Sequence, residues 1–531
     1  MSYPRSLLLA FSAFALALPA CALTPAQGSL YLRTRAAEAL GDVRGANAGF
    51  AALMAQDPGN TTIADHAYRQ AILGGDMALA VRAAHLLDAQ KALPSDARLL
   101  LVFEQVKAHD WVKARALTEQ LAQDRAFGFY APYLRAWIAA GSGQGDAIAL
   151  VEGARGIPLA ALYYPEQRAL LLIALGRGAE ATNSLGPQEA ALLPAHIKGP
   201  EDGLSPLLVH VATDFARQQY VSTGMIMARM ATYLAPANGS GWVILAELLQ
   251  RMQRGDLALA ALSHVDSADP IADDARALRI ALLNDSGKHE EALDEALAAT
   301  RRADVDIDDW GRVGDLYLVM GKPSEAAGAY TKALARAEAR QAPADVLWPI
   351  LLQQGGALDL AGDWPAAKAA YDRAYTIAPE QPTVLNQVGY SEIEHRENVD
   401  KASAMIAEAS RQRPEDPAIT DSLGWVLYLQ GKATQAVPLL ERAAAGNPAE
   451  PTINEHLGDV SWTIGRQLAS GRADCRAAEA AWSASGSRQG RRRARSRRRG
   501  ADAVHRHDVA ATARCLPRGY GSRRRAALAV E

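Results

Sequence analysis

Three prolines, Pro379, Pro414 and Pro448, stand 35 and 34 residues apart, and the residues between them recur in kind. From Ile307 the chain places Trp310, Val313, Gly314, Tyr317, Gly321, Ala326, Tyr330 and Ala333. From Trp348 it places Gly355, Gly362, Ala367, Tyr371, Ala374 and Pro379. From Pro382 come Gly389, Ala402, Ile406, Ala409 and Pro414, with one extra residue in the turn and no glycine there. From Pro417 come Leu423, Gly424, Leu427, Gly431, Ala436, Leu440, Ala443 and Pro448. Leu457, Gly458 and Gly465 follow Pro451, and then the pattern stops. A chain with this period cannot be an ordinary single-core domain. Each unit is a supersecondary element that buries its apolar face only against its neighbours. Ala and Leu dominate and aromatics make up only 6%, which favours helices.

Each slot has a physical role. The first glycine lets two helices approach closely. The second sits in the turn between helix A and helix B, where a positive φ costs glycine little. The alanine in helix B is a small contact for the neighbouring helix, and the Tyr, Ile or Leu four residues later fills a larger gap. Proline ends helix B. In this arrangement the residues resemble tetratricopeptide repeats, 34-residue helix–turn–helix units. The resemblance implies an all-α, right-handed superhelical solenoid whose A helices line a concave face.

Weaker copies extend toward the N-terminus: Gly41, Ala46, Phe50, Leu53 and Pro58; Gly75, Ala80 and Leu87; Asp110 and Trp111 with Ala114 and Leu121. Further ones centre on Gly176/Ala181, Gly255/Ala260 and Gly287/Ala292. Stretches 141–165 and 185–240 fit poorly and read as degenerate repeats or plain α-hairpins. About 11 to 13 helix pairs are expected over 27–467. The organisation expected is degenerate repeats over 23–195 and 206–300, with the loop His196–Pro206 as the internal seam, then regular repeats over 301–467.

Residues 1–22 read as a targeting segment. Arg5 supplies the positive charge and Leu7–Leu18 an apolar stretch of 12 residues, too short to span a bilayer comfortably. Ala20-Cys21-Ala22 fits cleavage of a signal peptide. Leu18-Pro19-Ala20-Cys21 alternatively resembles a bacterial lipobox, which would lipidate Cys21 and tether the chain to a membrane. The expected localisation is therefore periplasmic or secreted, with a membrane-anchored lipoprotein as the alternative. The other cysteines are Cys475 and Cys515, so 23–467 contains neither disulfide nor thiol chemistry.

The register breaks after Gln467. Residues 468–531 contain 16 Arg, no Lys and five acidic residues, a net +11 that leaves −14 for the remainder. A basic arm, a disordered tail and an out-of-frame read of GC-rich DNA compete; the abrupt change of composition favours the last. No nucleic-acid partner is expected of an exported chain.

The motifs that would carry chemistry fail on spacing. The Gly-Lys pairs at Gly287, Gly321 and Gly431 have Leu282, Leu316 and Val426 where a phosphate loop needs glycine. His289 begins a sequence like a zinc-protease helix, but Leu293 stands at the second histidine position. Gly141 opens a glycine-rich stretch without dinucleotide spacing. No catalytic residue, metal site or cofactor is expected, and the chain reads as a non-enzyme.

The resemblance turns the A-helix slots into candidate binding residues. The slot after each close-packing glycine, and the slot four before it, hold Asp315 and Gly311, Gly356 and Leu352, Tyr390 and Asn386, Trp425 and Asp421, Asp459 and Glu455. Tyr428 and Trp462 lie a turn further on. Family members that grip a chaperone's C-terminal carboxylate use Lys, Asn and Arg here; only Asn386 is of that kind. The partner-binding candidates are thus Asn386, Tyr390, Asp421, Trp425, Tyr428, Glu455, Asp459 and Trp462, and they suit a protein or peptide with basic or apolar side chains. The competing reading is that Trp425 and Tyr428 pack between adjacent A helices. The function expected is an exported scaffold. Alternatives are a lipid-anchored assembly factor for envelope or exopolysaccharide machinery, or an enzyme with its site in the N-terminal half.

Overall fold

Apolar residues with helical spacing, cut by a turn residue every half-period, fold as paired helices. The computed structural model describes residues 25–185, 194 and 196–465. The leader 1–22 with Cys21, and the arginine-rich stretch 468–531, lie outside the described residues. Among the described residues there are 26 α-helices and two short 3-10 turns, and no strand. Twelve helix pairs follow one another, from Pro25–Ala39 with Val43–Gln56 to Pro417–Leu429 with Ala433–Gly446. The short helix Pro158–Ala161 stands between the fourth and fifth pairs, and the helix Pro451–Thr463 comes after the twelfth. The architecture is an all-α repeat solenoid.

One rule links most of the turns. A residue with positive φ stands five positions before a buried small residue of helix B. Gly75 (φ 80°) precedes Ala80, Gly362 (φ 86°) precedes Ala367, and Gly431 (φ 77°) precedes Ala436. Where glycine is missing, His109 (φ 55°) precedes Ala114, and Gln253 (φ 60°) precedes Ala258. The register expected from Gly255/Ala260 is therefore two residues off. Gly255 opens the helix Gly255–Leu262, and Gln253 takes the turn slot that sequence reading reserves for glycine. The turn with the extra residue, before Val399–Gln412, is built with two positive φ values on non-glycine residues, Arg396 and Asn398.

The A-helix glycines close the hairpins. A Cβ on Gly314 would lie 2.6 Å from the Tyr330 ring, one on Gly355 2.6 Å from Tyr371, and one on Gly424 2.8 Å from Leu440. In each case the filler stands sixteen residues on. Gly389 meets Ile406, seventeen on, because of the longer turn. Aspartates cap several B helices: Asp76, Asp110 and Asp363 accept from the backbone N–H three residues later.

The chain forms two compact units, divided between Leu282 and Leu283. The seam expected at His196–Pro206 is instead the start of a helix, Pro200–Arg217. Pro200 at its first position and Glu201 and Asp202 in its first turn favour initiation there. Gly203 on that helix sits against the Trp137 indole. The Trp137 indole N–H donates to Gln167 (2.9 Å), and the Gln167 amide donates to the Gly203 carbonyl (3.2 Å). These buried contacts tie the helix to the repeats before it.

Within the first unit the chain also turns back on itself. Val221–Leu234 packs against Thr61–Gly74 and Ser95–Lys107, two A helices of the N-terminal repeats. Arg229, 7% exposed, donates to the carbonyls of Ile72 (3.0 Å) and Leu73 (3.1 Å) at the end of the first. Lys107 donates in turn to the Tyr233 carbonyl (2.7 Å). Cations are at home on the last carbonyls of a helix. Burial still pulls the Arg229 guanidinium down to about 10, because no carboxylate accompanies it.

Three expected outcomes follow. Gly355→Ala forces its Cβ into the Tyr371 ring and lowers stability by about 1–3 kcal/mol. Gly311→Ala, with nothing within 4 Å, raises stability by about 0.5–1 kcal/mol; urea unfolding compares the two. Arg229→Ala removes two charge-assisted hydrogen bonds and destabilises the first unit by about 2–4 kcal/mol. Hydrogen exchange then speeds up in Thr61–Gly74 ahead of the C-terminal repeats.

Candidate partner-binding face

The second unit presents the A helices Ile307–Val319, Ala344–Leu360, Pro382–Glu394, Pro417–Leu429 and Pro451–Thr463. The A helices Ala344–Leu360, Pro382–Glu394 and Pro417–Leu429 each touch the next A helix as well as their own partner. Side chains at equivalent A-helix slots therefore form rows across repeats.

The structure gathers four of the eight sequence-predicted residues, Tyr390, Asp421, Trp425 and Tyr428, around a histidine that sequence reading missed. His456 is 7% exposed. Its Nδ1 lies 2.9 Å from an oxygen of Asp421, and its ring stacks on Trp425 with centroids 4.0 Å apart. Tyr390 lies at 6.2 Å from the same ring. The Trp425 indole N–H donates to Glu394 (2.9 Å), a second residue the sequence did not single out. Tyr428 packs on Trp425 at 5.1 Å and its hydroxyl meets Thr463 at 3.2 Å. Asp421, expected to line the face as an open carboxylate, is only 5% exposed. The helix Pro451–Thr463 covers it, and His456 takes up its charge-accepting oxygen. Asn386 is half-buried, whereas Glu455, Asp459 and Trp462 are exposed. The expected strip thus divides into an inner aromatic–imidazole layer and an outer acidic rim. The signal for His456 was present: it stands 35 residues after Asp421 and 31 after Trp425. It falls one residue outside the inward slots, where helix packing sets direction.

The N-terminal repeats do not present their A helices in the same way, because Val221–Leu234 lies against two of them. That unit has a different feature, a depression of about 490 Å³ lined by Leu162, Tyr163, His210, Thr213, Asp214 and Arg217. The Tyr163 hydroxyl donates to Asp214 (2.9 Å), and His210 Nδ1 meets Glu166 at 2.7 Å. The hydrogen bond to Glu166 raises the His210 pKa above the ordinary histidine value, against the opposing effect of burial. Among the described residues no group of three or more His, Cys, Asp and Glu could hold a metal ion, and no helix is long and apolar enough to cross a membrane.

No family model matches the chain. A TPR repeat-containing protein of Pseudomonas aeruginosa is 36% identical over 95 residues, 18% of this chain and 16% of that protein, so the chain spans about a sixth of its relative's length. Among solved structures, the APC/C assembly Cut9–Hcn1 aligns over 86% of this chain and 87% of its own, at 18% identity and TM-score 0.34. A tetratricopeptide repeat protein of Parabacteroides merdae aligns over 49% and 98%, at 14% identity and TM-score 0.40. PilF of Pseudomonas aeruginosa aligns over 42% and 97%, at 16% identity and TM-score 0.33. With TM-scores below 0.5, none of these three likenesses bears on function.

The His210–Glu166 pair carries a pH expectation. A histidine whose folded pKa is raised stabilises the fold below its unfolded pKa, and that contribution is lost as pH rises through the folded value. A histidine NMR titration should give His210 a higher midpoint in the folded chain than in urea. Glu166→Gln should bring it down.

Proposed function

We propose that this chain, an all-α solenoid of tetratricopeptide type, is a non-catalytic scaffold that binds a protein or peptide on the A-helix face of its C-terminal unit. The observation that carries the reading is the rim of that face. Glu394, Glu455, Asp459 and Trp462 are exposed, on a base of packed aromatics. Aromatic anchors beside charge are a usual composition for a recognition surface. The partner segment that suits the rim is basic or apolar. The reading sets the chain beyond the cytoplasm on the strength of the leader-like residues 1–22 alone, with Cys21 as the residue through which a lipid-anchored form would be tethered.

The enzyme reading has one feature in its favour, the depression around His210. Its groups are already engaged with one another, the Tyr163 hydroxyl donating to Asp214 and His210 Nδ1 facing Glu166. A histidine whose protonated form the Glu166 carboxylate favours has less of its neutral, proton-accepting form near neutral pH, and we favour binding as the account of the chain.

A cross-linking capture from an envelope extract tests the proposal. The bait is the full chain, beside a variant carrying Trp462→Ala, Glu455→Lys and Asp459→Lys, with equal helical circular dichroism required of both. A partner held by the first and reduced at least tenfold on the second is the expected result. Equal capture by both contradicts the assignment of the face.

A further inference from the structure

In the second unit one slot of helix B holds a residue out of keeping with its equivalents. Just ahead of the buried alanines Ala333, Ala374, Ala409 and Ala443 stand Lys332, Arg373, Glu408 and Arg442. Lys332 lies over the Trp310 ring of its own pair, 4.1 Å from the centroid. Arg373 donates to Glu338 on the preceding B helix. Arg442 donates to the Pro414 carbonyl (3.3 Å), just past the end of the preceding B helix. Both arginines thus cross the gap between successive B helices. Glu408 crosses nothing: it accepts from Arg411 (2.6 Å) and Gln412 (2.7 Å) of its own helix.

The accepting side of that crossing is nevertheless complete. Arg442 meets the turn Pro414-Glu415, and the same dipeptide, Pro379-Glu380, follows the helix Trp364–Ile377. Among the described residues no side chain donates to the Pro379 carbonyl, and no cation pairs with Glu380. Between this turn and Val399–Gln412 lies an open groove of about 800 Å³. Buried Leu385 and Met405 line it. Its two cations are engaged, Lys401 over the Tyr375 ring, 4.9 Å from the centroid, and Arg411 with Glu408. Glu380 is left as its one charged lining residue without a partner among the described residues.

We infer that this groove receives an arginine side chain of a partner protein, at the B helices rather than on the A-helix face. The guanidinium meets the Pro379 carbonyl and the Glu380 carboxylate, as Arg442 meets Pro414 one repeat on, and its methylenes lie over Leu385 and Met405. The array itself shows which group completes the corner. Arginine suits it better than lysine, because a planar fork of donors serves a carboxylate and a carbonyl together and gives up its water more readily than an ammonium. The inference goes beyond the scaffold reading: it adds a second site with its own ligand chemistry and does not depend on the acidic rim.

The test follows the Met405 methyl group by NMR in the full chain with its methionines, nine in all, methyl-labelled; Met405→Leu identifies the signal. The probes are the N-acetyl amides of arginine, lysine and citrulline. The expected result is a saturable shift with arginine, a Kd for lysine at least tenfold higher, and no shift with uncharged citrulline. Glu380→Gln should weaken arginine at least tenfold. Glu408→Arg gives the slot the residue of its neighbours, so the groove is filled from within: the response to arginine disappears while helical circular dichroism stays the same and the urea midpoint is unchanged or raised. Equal response to citrulline or lysine, an unaffected Glu380→Gln variant, retained binding in the Glu408→Arg variant, or no response to any probe overturns the inference. So does a Met405 signal that moves when the protein alone is diluted, which would assign the groove to a second copy. The variant carrying Trp462→Ala, Glu455→Lys and Asp459→Lys should respond to arginine as the parent chain does, so that loss of capture at the A-helix face and loss of the Met405 response are separate failures.

Discussion

The regular repeats from Ile307 onward depend on a contact between a missing side chain and a large one. Gly314, Gly355 and Gly424 leave room in helix A for Tyr330, Tyr371 and Leu440 of helix B. That approach closes each hairpin and fixes which face of helix A turns inward. Because close-packed interiors tolerate little misfit, the same contact fixes which residues point outward.

The two units use this architecture differently. In the first, Val221–Leu234 returns to the A helices of the early repeats, and Arg229 is seated on the carbonyls of Ile72 and Leu73. A cation buried without a carboxylate is costly to leave unpartnered, so the seat specifies one register for the returning helix. In the second unit, among the described residues, the helices pack chiefly on neighbours one or two along the chain. Asp315, Glu394, Glu455 and Asp459 of its A helices are exposed, whereas Glu392 is buried against Lys368 and Asn398.

Much of the fold was legible because the physics behind it is local. Glycine in the turn, alanine five residues on and a bulky residue sixteen after the first glycine are each sequence-near requirements. The regular repeats from Ile307 onward fall where their residues place them. The misses have equally local causes. His109 and Gln253 adopt positive φ without being glycine, so the N-terminal register was harder to find and was misplaced at Gly255. The stretch His196–Pro206 looked like a linker because it is rich in Gly and Pro. Trp137 and Gln167, tens of residues earlier, make it the start of a packed helix. The inner part of the face was half legible. Trp425 and Tyr428 were both found, but His456 and Glu394 join them through contacts between repeats, which a slot rule within one repeat does not encode.

The most direct test of the account is hydroxyl-radical footprinting of the full chain, read residue by residue with mass spectrometry. Leu360, Leu429 and Trp462 should be oxidised quickly. Ile72, Leu99 and Phe103, on the two N-terminal A helices against which Val221–Leu234 packs, should be protected at least tenfold more strongly. Fast oxidation of those residues, or protection of the three C-terminal ones in the absence of any partner, would contradict the assignment of the open face to the C-terminal unit.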